Sequence, residues 1–185
     1  METKITVGQL LRILLYLLSW IIFVGVSIDA GGFISNTFYT MWINPEHAQN
    51  FWPGLNLSGL YKYDPGYFLL ETLLMSMVAI IKATIFYLII DILHNKKLSL
   101  SQPFNREVRR FILRVAYLSL LTGLFSTWGA RHAAWFVKQG IQMPGIQQLN
   151  LDGADVWLFM SVTLFVIAQV FKRGIEIQAE NELTV

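Results

Sequence analysis

Glu71 and Lys82 stand eleven residues apart in an otherwise apolar stretch, three helical turns along nearly the same face. An acid and an amine in greasy surroundings can relay protons or ions. A charge there is costly enough to mark a functional path or a paired site. Three turns is too far for the two to pair within one helix. Lys82 could instead meet hydroxyls on neighbouring stretches, namely Tyr16, Ser19, Ser119, Thr122 or Ser161. A structural polar contact and a Glu71–Lys82 relay are therefore both open readings. Asp152 and Asp155 lie three residues apart and could work as an acid–base dyad. Acids at that spacing more often favour the positive end of a helix. His47, His94 and His132 are isolated, no HExxH-like pair exists, and there is no cysteine. No metal site, thiol chemistry or disulfide framework is expected. No cofactor is expected either, no catalytic residue is assigned, and an intramembrane enzyme is the weakest of the function classes.

The elements that must carry these residues are apolar nearly all round. Hydrophobic residues make up 55% of the 185, and charged residues 14%, against about 25% in average soluble proteins. About 20 apolar residues in a helix cross a hydrocarbon core of roughly 30 Å, whereas a soluble helix shows a polar face. Spans are predicted over 9–28, 67–91, 108–130 and 154–172, giving an all-α, four-helix transmembrane bundle in one domain. The first span exceeds a signal peptide's apolar region and lacks a small-residue cleavage site, so an uncleaved anchor is expected.

Lys and Arg divide unevenly between the two sides. Lys4, Arg12, Lys96, Lys97, Arg106, Arg109, Arg110, Arg114, Lys172 and Arg173 share one side; Lys62, Arg131 and Lys138 share the other. Basic loops stay cytoplasmic. Both termini, the loop 92–107 and the tail 173–185 are therefore predicted inside, and the loops 29–66 and 131–153 outside. A multi-pass membrane protein is the expected setting.

The outer loop 29–66 is rich in aromatics (Phe33, Phe38, Tyr39, Trp42, Phe51, Trp52, Tyr61 and Tyr63) and is punctuated by turn signals at Asn44-Pro45, Pro53-Gly54 and Asp64-Pro65-Gly66. An interfacial belt is the plainer reading; an outward-facing ligand or peptide site is the other.

The inner loop carries the clearest local design. Asn105 can cap a helix start, and Arg106, Arg110 and Arg114 then recur every four residues as one basic ridge, with Arg109 beside it. Such a ridge can touch anionic lipid or dock an acidic partner. After Lys172 and Arg173 the tail turns acidic at Glu176, Glu180 and Glu182. These acids are expected to fold back onto the ridge, with Ile175, Ile177, Leu183 and Val185 packing under the inner loop.

The tail Ala168–Val185 (AQVFKRGIEIQAENELTV) resembles the C-terminal signature of the bacterial four-span family called domain of unknown function 2975. The segment Pro103-Phe104-Asn105-Arg106-Glu107-Val108-Arg109-Arg110 is similar to that family's second signature, a Pro-Phe followed by a basic helix start. The number and order of spans match as well. The resemblance implies no established enzymatic activity or ligand. It does imply genes beside one for a small helix-turn-helix regulator, and so a membrane component that binds or sequesters it. The positions carried over are Pro103, Phe104, Arg106, Arg110, Gly174, Glu176, Glu180, Asn181, Leu183 and Thr184.

Two function classes lead. One is a regulatory or scaffold protein binding a cytoplasmic partner through the basic inner loop and acidic tail, with no direct contact to nucleic acid. The other is a small transporter or proton-linked carrier using Lys82 and Glu71, acting as a homo-oligomer. Membrane lipid is a partner in either case.

Overall fold

A computed structural model describes residues 7–95 and 104–182. Five helices run in the order α1 (Val7–Trp42), α2 (Ser58–Tyr63), α3 (Pro65–His94), α4 (Arg106–Lys138) and α5 (Ala154–Glu182), with a 3-10 turn at Pro45–Asn50 between α1 and α2. Four of them, all but α2, are long and apolar enough to cross a membrane. Together they make an all-α membrane bundle, and no strand forms among the described residues.

Local chemistry starts these helices where side chains can satisfy their first backbone N–H groups. Asp64 accepts from Gly66 N and Tyr67 N, with Pro65 in the first helical position, so α3 begins there. Asn105 accepts from Val108 N at 2.7 Å and caps α4, as its position in the sequence suggests. Several hydroxyls inside the helices are spent locally. Ser19 donates to Leu15 O, Thr122 to Leu118 O and Ser161 to Leu158 O.

α3 and α4 form the middle of the molecule, α1 flanks α3, and α5 flanks α4. The flanks are barely covered by protein. Only 6% of the most apolar window of α1 and 11% of that of α5 is buried, against 44% for α3 and 39% for α4. Leu14, Leu17, Ile21 and Val24 on α1, and Phe159, Val162 and Val166 on α5, point away from the protein. Lipid is the natural solvent for such faces.

Three helices run well past the spans expected from sequence, α5 by continuing from Lys172 to Glu182. α1 continues from Ile28 to Trp42, and α4 from Ala130 to Lys138. Asp29 and Gly31-Gly32 read as a helix end, but tertiary packing uses them differently. Asp29 Oδ1 accepts from Trp52 Nε1 at 3.1 Å. Gly32 lies against the Trp52 ring, which a Cβ there would strike. The residues that look like a stop are the seat for an indole.

The segment 29–66 is accordingly folded. Phe33, Phe51, Leu57, Leu60, Phe68, Phe136, Leu149 and Leu151 have no exposed surface and form one core with the outer ends of α1, α3 and α4. Phe33 stacks on Phe51 with centroids 6.4 Å apart, and Phe51 meets Phe68 edge-on at 5.8 Å. Phe33 and Phe51 are thus core residues, while Phe38, Tyr39, Trp42 and Tyr63 remain exposed. The aromatic run serves both packing and surface. This outer cap also draws in residues 139–153: Leu151 packs onto Gly129 of α4, where a Cβ would lie 2.7 Å from its Cδ1.

Candidate functional site

The two sequence signatures meet on the face that carries the inner loop. Phe104, just ahead of α4, lies edge-on to Phe171 of α5 with centroids 5.3 Å apart. Its ring sits against Gly174, where a Cβ would come within 2.5 Å of Cδ1 and 2.7 Å of Cγ. Glycine is needed at 174 because the ring of Phe104 occupies the space of a side chain. The start of α4 and the last three turns of α5 are joined by this contact.

Around it, Arg106, Arg110 and Arg114 are exposed and Arg109 is half-buried. The Nε of Arg109 is buried without a hydrogen-bond partner among the described residues. Arg110 and Arg114 line a cleft of about 130 Å³ with Asp91 and Glu107, so acids of α3 and α4 temper the basic ridge.

Glu176 departs from the folded-back arrangement. α5 continues unbroken to Glu182, and Glu176 pairs within its own helix, 3.9 Å from Lys172 Nζ and 3.3 Å from Arg173 Nη1. A continuous helix brings residues three and four apart together, so Glu176 finds a cation without crossing to α4. Glu180 is exposed on the same helix, Ile175 is half-buried, and Ile177 is exposed rather than packed under the loop. Asn181 lies in the last turn of α5. Pro103, Leu183, Thr184 and Val185 lie outside the described residues.

Glu71 and Lys82 have separate partners. Glu71 is fully buried, and its Oε2 lies 2.8 Å from His132 Nδ1 of α4. Oε1 of Glu71 has no hydrogen-bond partner among the described residues. The imidazole is held by rings: Phe136 edge-on at 4.5 Å, Tyr67 at 5.6 Å and Trp135 at 6.5 Å. His132 looks isolated in the sequence because its partner lies 61 residues away. One signal was available. Glu71 is six residues in from the outer end of α3, and His132 six residues in from the outer end of α4.

Lys82 Nζ donates to the backbone oxygen of Asn150 at 3.0 Å and lies 5.9 Å from the Trp157 ring centroid. None of the hydroxyls expected from sequence holds it. Ser19, Thr122 and Ser161 bond within their own helices, Ser119 Oγ lies 3.9 Å from Met160 Sδ, and Tyr16 Oη faces His94 Nδ1 at 3.4 Å. The opposite charges acting on Lys82 are Asp152 and Asp29. Asn150 adopts φ 58°, a left-handed conformation that Asn tolerates, and its carbonyl is turned to the amine.

Tyr16 stacks on His94 and Phe23 approaches Tyr87, so each step along α1 matches one step back along α3. Continued upward, that register puts Asp29 level with Lys82. Asp29, Lys82, Asn150 and Asp152 thus form one polar layer at the base of the outer cap. Asp155 follows in the first turn of α5, the position favoured by the helix dipole. Among the described residues no group of three or more His, Asp or Glu side chains could hold a metal ion.

No curated protein and no solved structure matches the chain. A family model described as Protein of unknown function (DUF2975) does match, over residues 35–185, which takes in α2 to α5 and both sequence signatures. A match of that extent, on a chain with four apolar spans and both signatures in contact, makes this protein a member of the DUF2975 family.

Proposed function

We propose that the protein is a regulatory or scaffold component of the bacterial inner membrane that holds a cytoplasmic partner on its inner face. The observation that carries this reading is the seating of Phe104 on Gly174, which joins the basic start of α4 to the mixed-charge end of α5. The exposed cations Arg106 and Arg110 then follow directly on one apolar junction. Such a surface suits a small protein with its own apolar patch and charges of both signs. A helix-turn-helix regulator encoded nearby is the first candidate.

Membrane placement follows from lengths. From Ala154 to Phe171, α5 offers 18 residues, about 27 Å of helix, close to the roughly 30 Å of a hydrocarbon core. The basic pair Lys172-Arg173 closes the inner end, and the Asp29–Lys82–Asp152 layer closes the outer one. Both termini and the loop 92–107 then lie in the cytoplasm, as the excess of Lys and Arg on that side favours. Lys82 becomes an interfacial residue and the cap faces water. The relay reading has no direct contact behind it, because Glu71 meets His132 and Lys82 meets the Asn150 carbonyl.

The test is co-purification of the full chain with the neighbouring regulator in mild detergent. Capture is expected for the wild type. Charge reversal at Arg106, Arg110 and Arg114 is expected to weaken it by at least about tenfold. Gly174→Leu, which drives Phe104 off its seat, is expected to weaken it as well while the outer cap keeps its melting behaviour. Undiminished capture by both variants rejects the inner-face reading.

A further inference from the structure

The outer cap contains a cleft of about 700 Å³ between α2 and the segment that follows α4. That volume falls within the range of small-molecule sites. Gly59 lets the walls approach: a Cβ there would lie 3.3 Å from the backbone oxygen of Gln142. The polar lining comes from Asn56, Ser58, Lys62, Gln142 and Gln148, and no lining residue is acidic.

The orientation of two amides is set by chemistry. Asn56 Oδ1 accepts from Ser58 N at 3.1 Å and from Ser58 Oγ at 2.7 Å. Gln148 Oε1 accepts from Gly145 N at 3.0 Å. A backbone N–H can only donate, so in each amide the oxygen must face it and the NH2 group must turn away. Both bonds to Asn56 Oδ1 and the one to Gln148 Oε1 are made within the loops themselves, which leaves the Asn56 and Gln148 amide nitrogens as donors. The one full charge of the lining is the Lys62 ammonium, which has no ion pair among the described residues, and Gln142 can donate or accept. Ile141, Met143 and Pro144 supply an apolar strip beside them.

We infer that this cleft binds a small solute carrying one carboxylate and further oxygen acceptors, such as a sugar acid or hydroxy acid, with Lys62 and the two amide NH2 groups as its recognition elements. A single ammonium flanked by neutral donors matches one carboxylate and its neighbouring hydroxyl or carbonyl oxygens. A multiply charged phosphate would meet only one full positive charge here. The inference does not depend on the cytoplasmic-partner reading, since the cleft and its donors lie at the opposite end of the bundle.

The test is calorimetric titration of the full chain in detergent with galacturonate, gluconate and lactate, using galactose and inorganic phosphate as comparisons. Saturable binding of at least one acid is expected, at least about tenfold tighter than galactose or phosphate. Lys62→Gln should weaken that acid by about tenfold and Lys62→Glu by about a hundredfold. Lys138→Gln, an exposed lysine outside the cleft, should change nothing. Lys62 is exposed, so its variants should keep the wild-type melting temperature. The inference is overturned if none of the acids saturates at millimolar concentration, if Lys62→Glu binds as well as wild type, or if galactose or phosphate binds as tightly as the acid.

Discussion

Phe68 on α3 and Phe159 on α5 are both phenylalanines in long apolar helices, yet Phe68 has no exposed surface and Phe159 keeps 75% of its own. The difference separates two regions of one molecule. In the outer cap, apolar side chains from α1, the 3-10 turn, α2, α3 and α4 cover one another, and the protein is its own solvent. On the outward faces of α1 and α5, residues of the same kind are left exposed by the described residues, and hydrocarbon is the solvent that suits them. Close packing gives a residue many contacts that only one arrangement provides, whereas hydrocarbon chains adapt to whatever face they meet. The cap can therefore hold specific shapes and polar pairs, and the flanks need only remain greasy.

Truncation should separate the regions most sharply. Phe68→Ala opens a cavity against Phe51 and Tyr61 and should cost about 3–5 kcal/mol. Phe159→Ala changes a lipid-facing surface and should stay within about 0.5 kcal/mol. Thermal unfolding in detergent, with bilayer reconstitution as a second condition, measures both. Equal losses would erase the distinction between cap and flank. A smaller effect is expected at the cap's polar pair. His132→Ala leaves the fully buried Glu71 without its partner, which should cost about 3 kcal/mol. That figure is the low end for a broken buried pair, because the His132 side chain is 15% exposed and water can reach the gap. Glu71→Gln, which keeps a hydrogen-bonding group of the same shape, should cost less than His132→Ala in the same melts. The reverse order would mean that the carboxylate, and not its partner, is the anchor. The smallest effect is expected on the inner face. Glu176→Gln removes ion pairs whose side chains are about half exposed to solvent; such pairs are screened by water and salt, and melting should change by well under about 1 kcal/mol. A large loss there would show that the end of α5 is clamped more firmly than its own ion pairs account for.

The four spans and the Asn105 cap were legible because each depends on residues within a few positions of one another, whereas Asp64-Pro65-Gly66, read as a turn, is also the capped start of α3. The continuation of α1 past Asp29 and Gly32 was not legible. A glycine pair after an acid is a sound local stop signal, and it is overridden here by an indole arriving from Trp52. Periodicity could not reveal which apolar faces meet protein, since a membrane helix is apolar on the lipid side too. The hydroxyls proposed for Lys82 were plausible by proximity, but helices let serine and threonine bond back to their own turn, and a loop carbonyl took the amine instead. The pairing of Glu176 with Lys172 and Arg173 followed from something as simple as α5 not ending at Lys172.

Composition and short-range order therefore determined that this chain makes four membrane-crossing helices, where most of them start, and which ends carry charge, because water, hydrocarbon and backbone donors act on each segment separately. Only the tertiary structure decided that Glu71 belongs to His132, that Phe104 rests on Gly174, and that the outer segments close over a core of their own. Those pairings join residues about 20 to 70 positions apart along the chain, and no local force distinguishes them until the helices have packed.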